Sequence, residues 1–404
     1  MTDTSLQAQV DAQLLEQGAF APLELLFNTG RLLYSDYESW RRRELELLDG
    51  ALMGNPDKIK AELQQAIGYA RRIGLVEQPQ EFLPWHTEGT AADSSSNTRP
   101  LRISMDTQLQ KLLCSRYIRA QNLPQMDLFF DNPIVALTNG IVQALAIRNL
   151  PDAQRQLDQL YAQAPTHSDL AAFDQLLAAL GHLGHAVEDP RAELTFLEQV
   201  SPTARRLLGA QSRDLLSPLW IQLAGALANV AFNPEEPNLH RSFAFTQAQD
   251  WAAVSDCIAR ELNWQWHAGL CLRMVDSAFH RRRRVEALAA WCHVCWRAPE
   301  SASDSVTRLR QPELSLLWNR FLDEEDPLLE VDFPSWLLIQ EPALVLQLAE
   351  DLPPADTPAE EHYRTVHRCL RARRARRQDE ELAQRKLLQK SNPALFQLLK
   401  TSAA

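Results

Sequence analysis

Glycine is scarce in this chain. There are 13 in 404 residues, about half the usual share of ~7%, which argues against a glycine-rich barrel or a collagen-like chain and removes most of the material for phosphate-cradling loops. No GxxxxGK loop, GxGxxG turn, GxSxG elbow or HExxH helix occurs, so familiar nucleotide, hydrolase and metalloprotease chemistries lack their signatures. Long apolar runs are missing too. The most apolar stretch, Pro218 to Phe232, is broken by Gln222 and Asn229 and falls short of the ~20 residues that span a bilayer, so it reads as a buried helix and no membrane insertion is expected. Met1 to Ala12 has no basic start followed by an apolar core, so no secretory signal is visible. The six cysteines (Cys114, Cys257, Cys271, Cys292, Cys295 and Cys369) form no disulfide framework, which predicts free thiols in a reducing cytoplasm. Alternating strand patterns flanked by Asn-Gly or Asp-Gly turns are nearly absent.

What is present is helical. The chain is 45% hydrophobic and 23% charged, an ordinary globular composition whose length predicts two or three packed units. The net charge of −11 excludes nucleic-acid binding by bulk electrostatics. Many of the 23 prolines follow a capping residue, as in Asn55-Pro56, Asn132-Pro133, Ser201-Pro202 and Asn392-Pro393, where proline opens a helix at no cost in donors. Ser35-Asp36-Tyr37-Glu38 has capping-box spacing at another helix start. The fold class is therefore all-α. Residues 1–84 read as a small N-terminal helical unit in which Asp36–Met53 and Pro56–Ile73 form a helical hairpin. Residues 85–100 read as a Ser/Thr-rich linker, 101–359 as a helical-repeat domain, and 360–404 as a basic C-terminal helix and tail.

An internal repeat carries the most information. Asn132–Pro165 can be laid without gaps on Trp266–Pro299, 34 residues each. Ile141 matches Val275, Ala144 matches Ala278, Leu145 matches Phe279 and Arg148 matches Arg282; Asp152 with Glu286, Ala153 with Ala287, Leu157 with Trp291, and Ala164-Pro165 with Ala298-Pro299 complete the set. On these residues the chain resembles the tetratricopeptide repeat, whose period is ~34 residues. The family's small residue early in the second helix is met by Ala153 and Ala287, its bulky residue one turn later by Leu157 and Trp291, and its closing proline by Pro165 and Pro299. Ile141 and Val275 stand where the family has a small residue, and residues 166–265 hold no clean third copy. The resemblance implies helical hairpins stacked as a right-handed superhelix, with a concave surface suited to binding peptides or helices.

Five features have the residue types for chemistry or binding. Cys292-His293-Val294-Cys295 has CxxC spacing, suited to a metal or a dithiol, but it falls inside a repeat helix beside Trp291 and Trp296, where thiols pack as small core residues. His182 and His185 share a helix face near Glu188 and Asp189 and resemble half of a metal site, although Gly181 and Gly184 point to a helix end. Arg281, Arg282, Arg283 and Arg284 fall on the turn of the second repeat, a contact point for an anion or a solvated loop. From Arg364 to Lys390 ten Lys/Arg face three acids, a balance of +7 that leaves −18 on the rest of the chain. Within it, Arg371, Arg373, Arg374, Arg376 and Arg377 would point around a helix circumference, with Arg376–Glu380 and Arg377–Glu381 at pairing distance. That helix suits nucleic acid, an acidic protein, or the chain's own Asp323-Glu324-Glu325-Asp326 run. Trp264 and Trp266, with Phe243 and Phe245 nearby in sequence, are core residues or groove anchors.

The expected function is a non-enzymatic protein–protein interaction scaffold, adaptor or assembly/chaperone-like factor that uses a helical-repeat groove, with one or more proteins as partners and no metal or cofactor. The alternative is a nucleic-acid-associated regulator docking through the arginine-rich C-terminal helix. A metal- or thiol-dependent enzyme using Cys292/Cys295 or His182/His185 is the weaker third reading.

Overall fold

A computed structural model describes residues 3–85, 99–119, 133–326 and 328–401. The expected linker therefore lies largely outside the described residues, as does Asn132. The chain divides into two compact units, Met1–Asp250 and Trp251–Ala404.

The first unit runs α1 (Asp3–Gln17), β1 (Ala19–Phe20), α2 (Pro22–Asn28), α3 (Tyr34–Arg41), α4 (Pro56–Arg72), β2 (Leu75–Pro79), α5 (Thr107–Leu113), β3 (Ser115–Arg119), α6 (Pro133–Ala146), α7 (Leu150–Gln163), α8 (Leu170–His182), α9 (Pro190–Leu208), α10 (Ser212–Ala226) and α11 (Arg241–Ala248). Helices dominate, as the sequence predicts, but three short strands form an antiparallel sheet in the order β1-β3-β2, with Val76 opposite Ile118 and Phe20 opposite Tyr117. Strands of two to five residues joined without a hairpin turn leave no local signature, because their pairing is set by distant chain.

Several expected helix starts shift. Asn55 does cap α4, accepting from Asp57 N and Lys58 N, and α6 does open at Pro133. The Ser35–Glu38 capping box is not made: α3 opens after Leu33 with no side-chain cap, because Glu38 is drawn to Arg148. Arg43, at φ 62°, ends that helix early, so the expected helix to Met53 is one of two turns followed by irregular chain and a single 3-10 turn at Asp49–Ala51. Pro202 lies inside α9 rather than opening a helix. Asp189-Pro190 opens it instead, while the Ser201 hydroxyl donates to Leu197 O at 2.7 Å and satisfies a carbonyl beside the proline's missing donor. Two apolar cores fill the unit. One lies around Phe20, Trp40 and Tyr117; the other runs along α6–α11 around Leu157, Leu197 and Trp220. Of the apolar stretch Pro218–Phe232, expected as one buried helix, Pro218–Ala226 is the end of α10 and is buried at Pro218–Trp220, Leu223 and Ala224, whereas the helix stops at Ala226 and residues 228–231 are exposed.

The second unit runs α12 (Trp251–Arg260), α13 (Ala268–His280), α14 (Arg284–Arg297), α15 (Ala302–Leu309), α16 (Pro312–Leu322), α17 (Phe333–Gln340), α18 (Pro358–Arg374), α19 (Gln378–Ser391) and α20 (Pro393–Thr401). Its core is aromatic: Trp291 meets Trp318 edge to face, and Phe333 packs on Trp318, Phe321 and Trp336. The expected single basic helix is broken. It is three helices, with Arg376 left-handed between α18 and α19, and with Asn392 Oδ1 accepting from Leu395 N at 3.1 Å to open α20.

The two aligned sequence segments are both helical hairpins, α6–α7 and α13–α14, and a third hairpin with the same turn is α18–α19. The joining residues are Ile147-Arg148-Asn149, Arg281-Arg282-Arg283 and Ala375-Arg376-Arg377. The central arginine is left-handed in each, at φ 59°, 59° and 57°. Its amide donates three residues back (3.0, 2.9 and 3.1 Å), and the next amide donates five back, to Ala144, Ala278 and Ala372 (2.8, 2.8 and 2.9 Å). These bonds satisfy the end carbonyls of the first helix. The same two bonds also close α3 at Arg43 and α11 at Gln249, so the turn alone does not define a repeat; Glu360–Pro393 is a third hairpin of the same 34-residue span. Its Cys369, Ala372 and Leu388 are buried at the positions of Ile141, Ala144 and Leu160 in the first copy and of Val275, Ala278 and Val294 in the second.

Candidate interaction surface

A left-handed arginine is an expensive way to turn a corner; glycine avoids a cost of ~1–2 kcal/mol. In the first hairpin the Arg148 side chain offsets it. Its guanidinium lies 3.4 Å from the centroid of the Trp85 ring. It donates to Asp214 O at 2.8 and 3.0 Å and to Tyr34 Oη at 3.1 Å, and it lies 3.4 Å from Glu38 Oε1. Tyr34 and Glu38 are one turn apart on α3 and face the same way. Trp85, placed by the sequence at the edge of a linker, is instead a buried anchor.

This cradle adjoins a buried polar network that sequence reasoning missed. Arg41 Nη1 lies 2.8 Å from Asp214 Oδ2 and also donates to Tyr37 Oη, while Arg213 meets Glu24 at 2.7 Å over the Phe27 ring. Burial works to discharge Arg41, but Tyr37 and Asp214 outweigh it and hold its proton more tightly than water does. Burial also raises the Glu24 carboxyl above its ordinary value, against the pull of Arg213. A cavity of about 80 Å³ lies against Glu24, Tyr37, Arg41, Gln143, Gln211 and Asp214. Of its charged walls, Arg41 and Asp214 are paired with each other and Glu24 with Arg213.

In the second hairpin, Arg281 bonds Ser255 Oγ, Arg282 is engaged within the chain, and Arg283 meets Glu286 at 2.8 Å. Arg284 opens α14 and pairs with Glu313 and, at 2.7 Å, with Glu341. In the third hairpin the arginines divide. Arg373 lies 3.0 Å from Glu381 and Arg377 lies 3.0 Å from Glu380. The expected Arg376–Glu380 and Arg377–Glu381 pairs do not form, because the helix that would space them ends at Arg374. Arg371, Arg374 and Arg376 are exposed and form no ion pair among the described residues. None of the five reaches the acidic run 323–326 there; Glu324 accepts instead from Trp336 Nε1 at 2.6 Å and Gln340 Nε2 at 3.2 Å.

Cys292, His293 and Cys295 are sealed in α14. Burial lifts both thiols well above their ordinary value and pushes His293 down to about 4, with Arg297 adding to the latter. His182 ends α8 and His185 lies beyond Gly184 at φ 85°, so the two do not share a helix face. His182 Nδ1 lies 3.0 Å from Glu193 and its ring stacks on Phe196 at 4.5 Å, beside a cavity of about 460 Å³. Among the described residues, no group of three or more His, Cys, Asp or Glu is arranged to hold a metal ion, and no helix is long and apolar enough to cross a membrane. Trp266 is 45% exposed under Arg297, whose guanidinium is 4.3 Å from the ring centroid. Phe243 packs edge-on against Trp220, and Phe245 lies under Arg241.

Comparison with protein-family models, with curated proteins and with solved structures finds no match to this chain.

Proposed function

We propose that the chain is a non-catalytic interaction protein, an adaptor or assembly factor that engages a client protein through its helical hairpins, arranged as a degenerate tetratricopeptide-like stack. The observation that supports this reading is the recurrence of one hairpin with one turn at residues 147–149, 281–283 and 375–377. Repetition of a hairpin multiplies surface rather than building a single reaction centre. The thiols agree, since Cys292 and Cys295 are raised by burial away from the thiolate form a nucleophile needs. A cytoplasmic setting, where unpaired thiols stay reduced, belongs to the same reading.

The test is affinity capture from the native cell lysate at low and high salt, followed by reconstitution from purified components. A defined protein that survives high salt and forms a stoichiometric complex by light scattering is the expected result. Recovery of nucleic acid alone, released by salt, would replace this reading with the nucleic-acid regulator.

A further inference from the structure

We infer that the α18–α19 turn, with Arg371, Arg374 and Arg376, is a docking surface for an acidic helix of another protein, one that presents a tyrosine and a glutamate one helical turn apart. The inference rests on the adaptor reading above and names the face and the chemistry of the client.

The template is in the chain itself. The first and third turns share the same backbone, with the central arginine at φ 59° and 57°. Around Arg148 the backbone cost is offset by a ring stack, a tyrosine hydroxyl, a carboxylate and a carbonyl. Around Arg376 nothing among the described residues does so, although glycine would make the same turn more cheaply. Arg371 and Arg374 are three apart in the last turn of α18 and therefore lie on the side of the helix that leads into the turn. Their attraction to the helix C-terminus is worth only ~0.3–1 kcal/mol and leaves their donors unspent. Three exposed guanidinium groups at one corner form a surface that planar carboxylates fit in a bidentate manner.

A second copy of the chain is a poor occupant, because its own Tyr34 and Glu38 are already held by its Arg148. Nucleic acid fits less well. Two of the five arginines, Arg373 and Arg377, are committed to Glu381 and Glu380, which leaves three cations at one corner, too few to track a phosphate backbone.

The probe is an alanine-based helical peptide carrying Tyr and Glu four residues apart, with a Phe/Gln peptide as control and a short single-stranded DNA as competitor. Binding to the full chain is read by fluorescence anisotropy. The Tyr/Glu peptide is expected to bind, the Phe/Gln peptide to bind about tenfold more weakly or not at all, and Arg371→Glu/Arg374→Glu/Arg376→Glu to lose binding by about tenfold or more. The Lys triple variant keeps the charge without the planar fork and is expected to fall between them; it also guards against loss of fold. Equal binding to wild type and the Glu triple variant overturns the inference, as does DNA that binds in a triple-variant-sensitive way while the peptide does not. A reconstituted client that binds the Glu triple variant undiminished overturns this surface and leaves the adaptor standing. Peptide binding without any client in capture supports this surface and removes the adaptor reading.

Discussion

Glu381 occupies in α18–α19 the position that Ala153 holds in α6–α7, and it lies 3.0 Å from Arg373, which stands where the first hairpin has Leu145. Arg385, at the position of Leu157, lies 3.6 Å from the same carboxylate. An Arg–Glu–Arg triad thus replaces an apolar trio at the contact of two antiparallel helices. The three side chains are 18–31% exposed, so water screens them partly and the long stems still cover apolar surface.

Removing only the central charge is expected to cost more than removing the triad. Glu381→Ala leaves two guanidinium groups facing each other and should lower stability by about 1–2 kcal/mol. Arg373→Leu/Glu381→Ala/Arg385→Leu restores the pattern of the first hairpin and should recover most of that loss, in line with the replacement of ion triads by apolar groups. Amide exchange across α18 and α19 under native conditions measures both. A single variant no less stable than wild type would mean that the triad is a surface feature of no consequence.

Arg148→Ala removes the ring stack on Trp85 and leaves Glu38 and Tyr34 without their partner in the first unit. A loss of about 2–4 kcal/mol is expected in urea denaturation. Arg148→Lys should retain less than half of the contribution, since one ammonium cannot reach the Asp214 carbonyl, the tyrosine and the carboxylate together. Arg376→Ala, at the same turn without a cradle, should change stability by less than about 0.5 kcal/mol. Equal effects at the two positions would contradict the contrast between them.

The helical class, the caps at Asn55 and Asn392, and both aligned hairpins were legible because each leaves a local mark: a capping residue before proline, a 3.6 period, or a small residue followed by a bulky one. The third hairpin was hidden because its two diagnostic positions hold Glu381 and Arg385, and because no glycine or proline announces the break at Arg376. The sheet and the Arg41–Asp214 network were hidden for another reason. Their partners are far apart in sequence, Tyr37 and Asp214 by 177 residues, and no spacing rule connects them. Trp85 was misplaced because composition changes just after it, while its burial depends on Tyr37, Arg41 and Arg148, all far from it in sequence.

The thiols divide by accessibility. Cys114 is half-buried and the other five are buried. Burial first, and Glu81 second, lift the Cys114 thiol to about 11. In the native protein one thiol should therefore react with a disulfide reagent, faster by roughly tenfold per pH unit as its thiolate population grows, and Cys114→Ser should abolish that phase. All six should react in denaturant. A second fast thiol assigned to Cys292 or Cys295 would reopen the dithiol reading.

His293 ties stability to pH in the acid range. Its ring lies among Trp264 and Trp296 at 5.5 and 5.7 Å, and its Nδ1 has no hydrogen-bond partner among the described residues. Burial, with Arg297 adding to it, lowers its pKa to about 4 from 6.5. Between these values the unfolded chain binds a proton that the folded chain does not, so stability falls as pH drops from 6.5 and the loss is complete near 4. At 1.36 kcal/mol per pH unit, the span amounts to roughly 3 kcal/mol at most. His367, also pushed down by burial, adds in the same direction. His293→Phe fills a similar volume without the titration. With each protein referenced to its own value at pH 7, the urea midpoint of the wild type should fall further than that of His293→Phe as pH is lowered from 7 to 4. Parallel pH profiles for the two proteins would show that the ring reaches water and that α14 is less tightly sealed than its packing indicates.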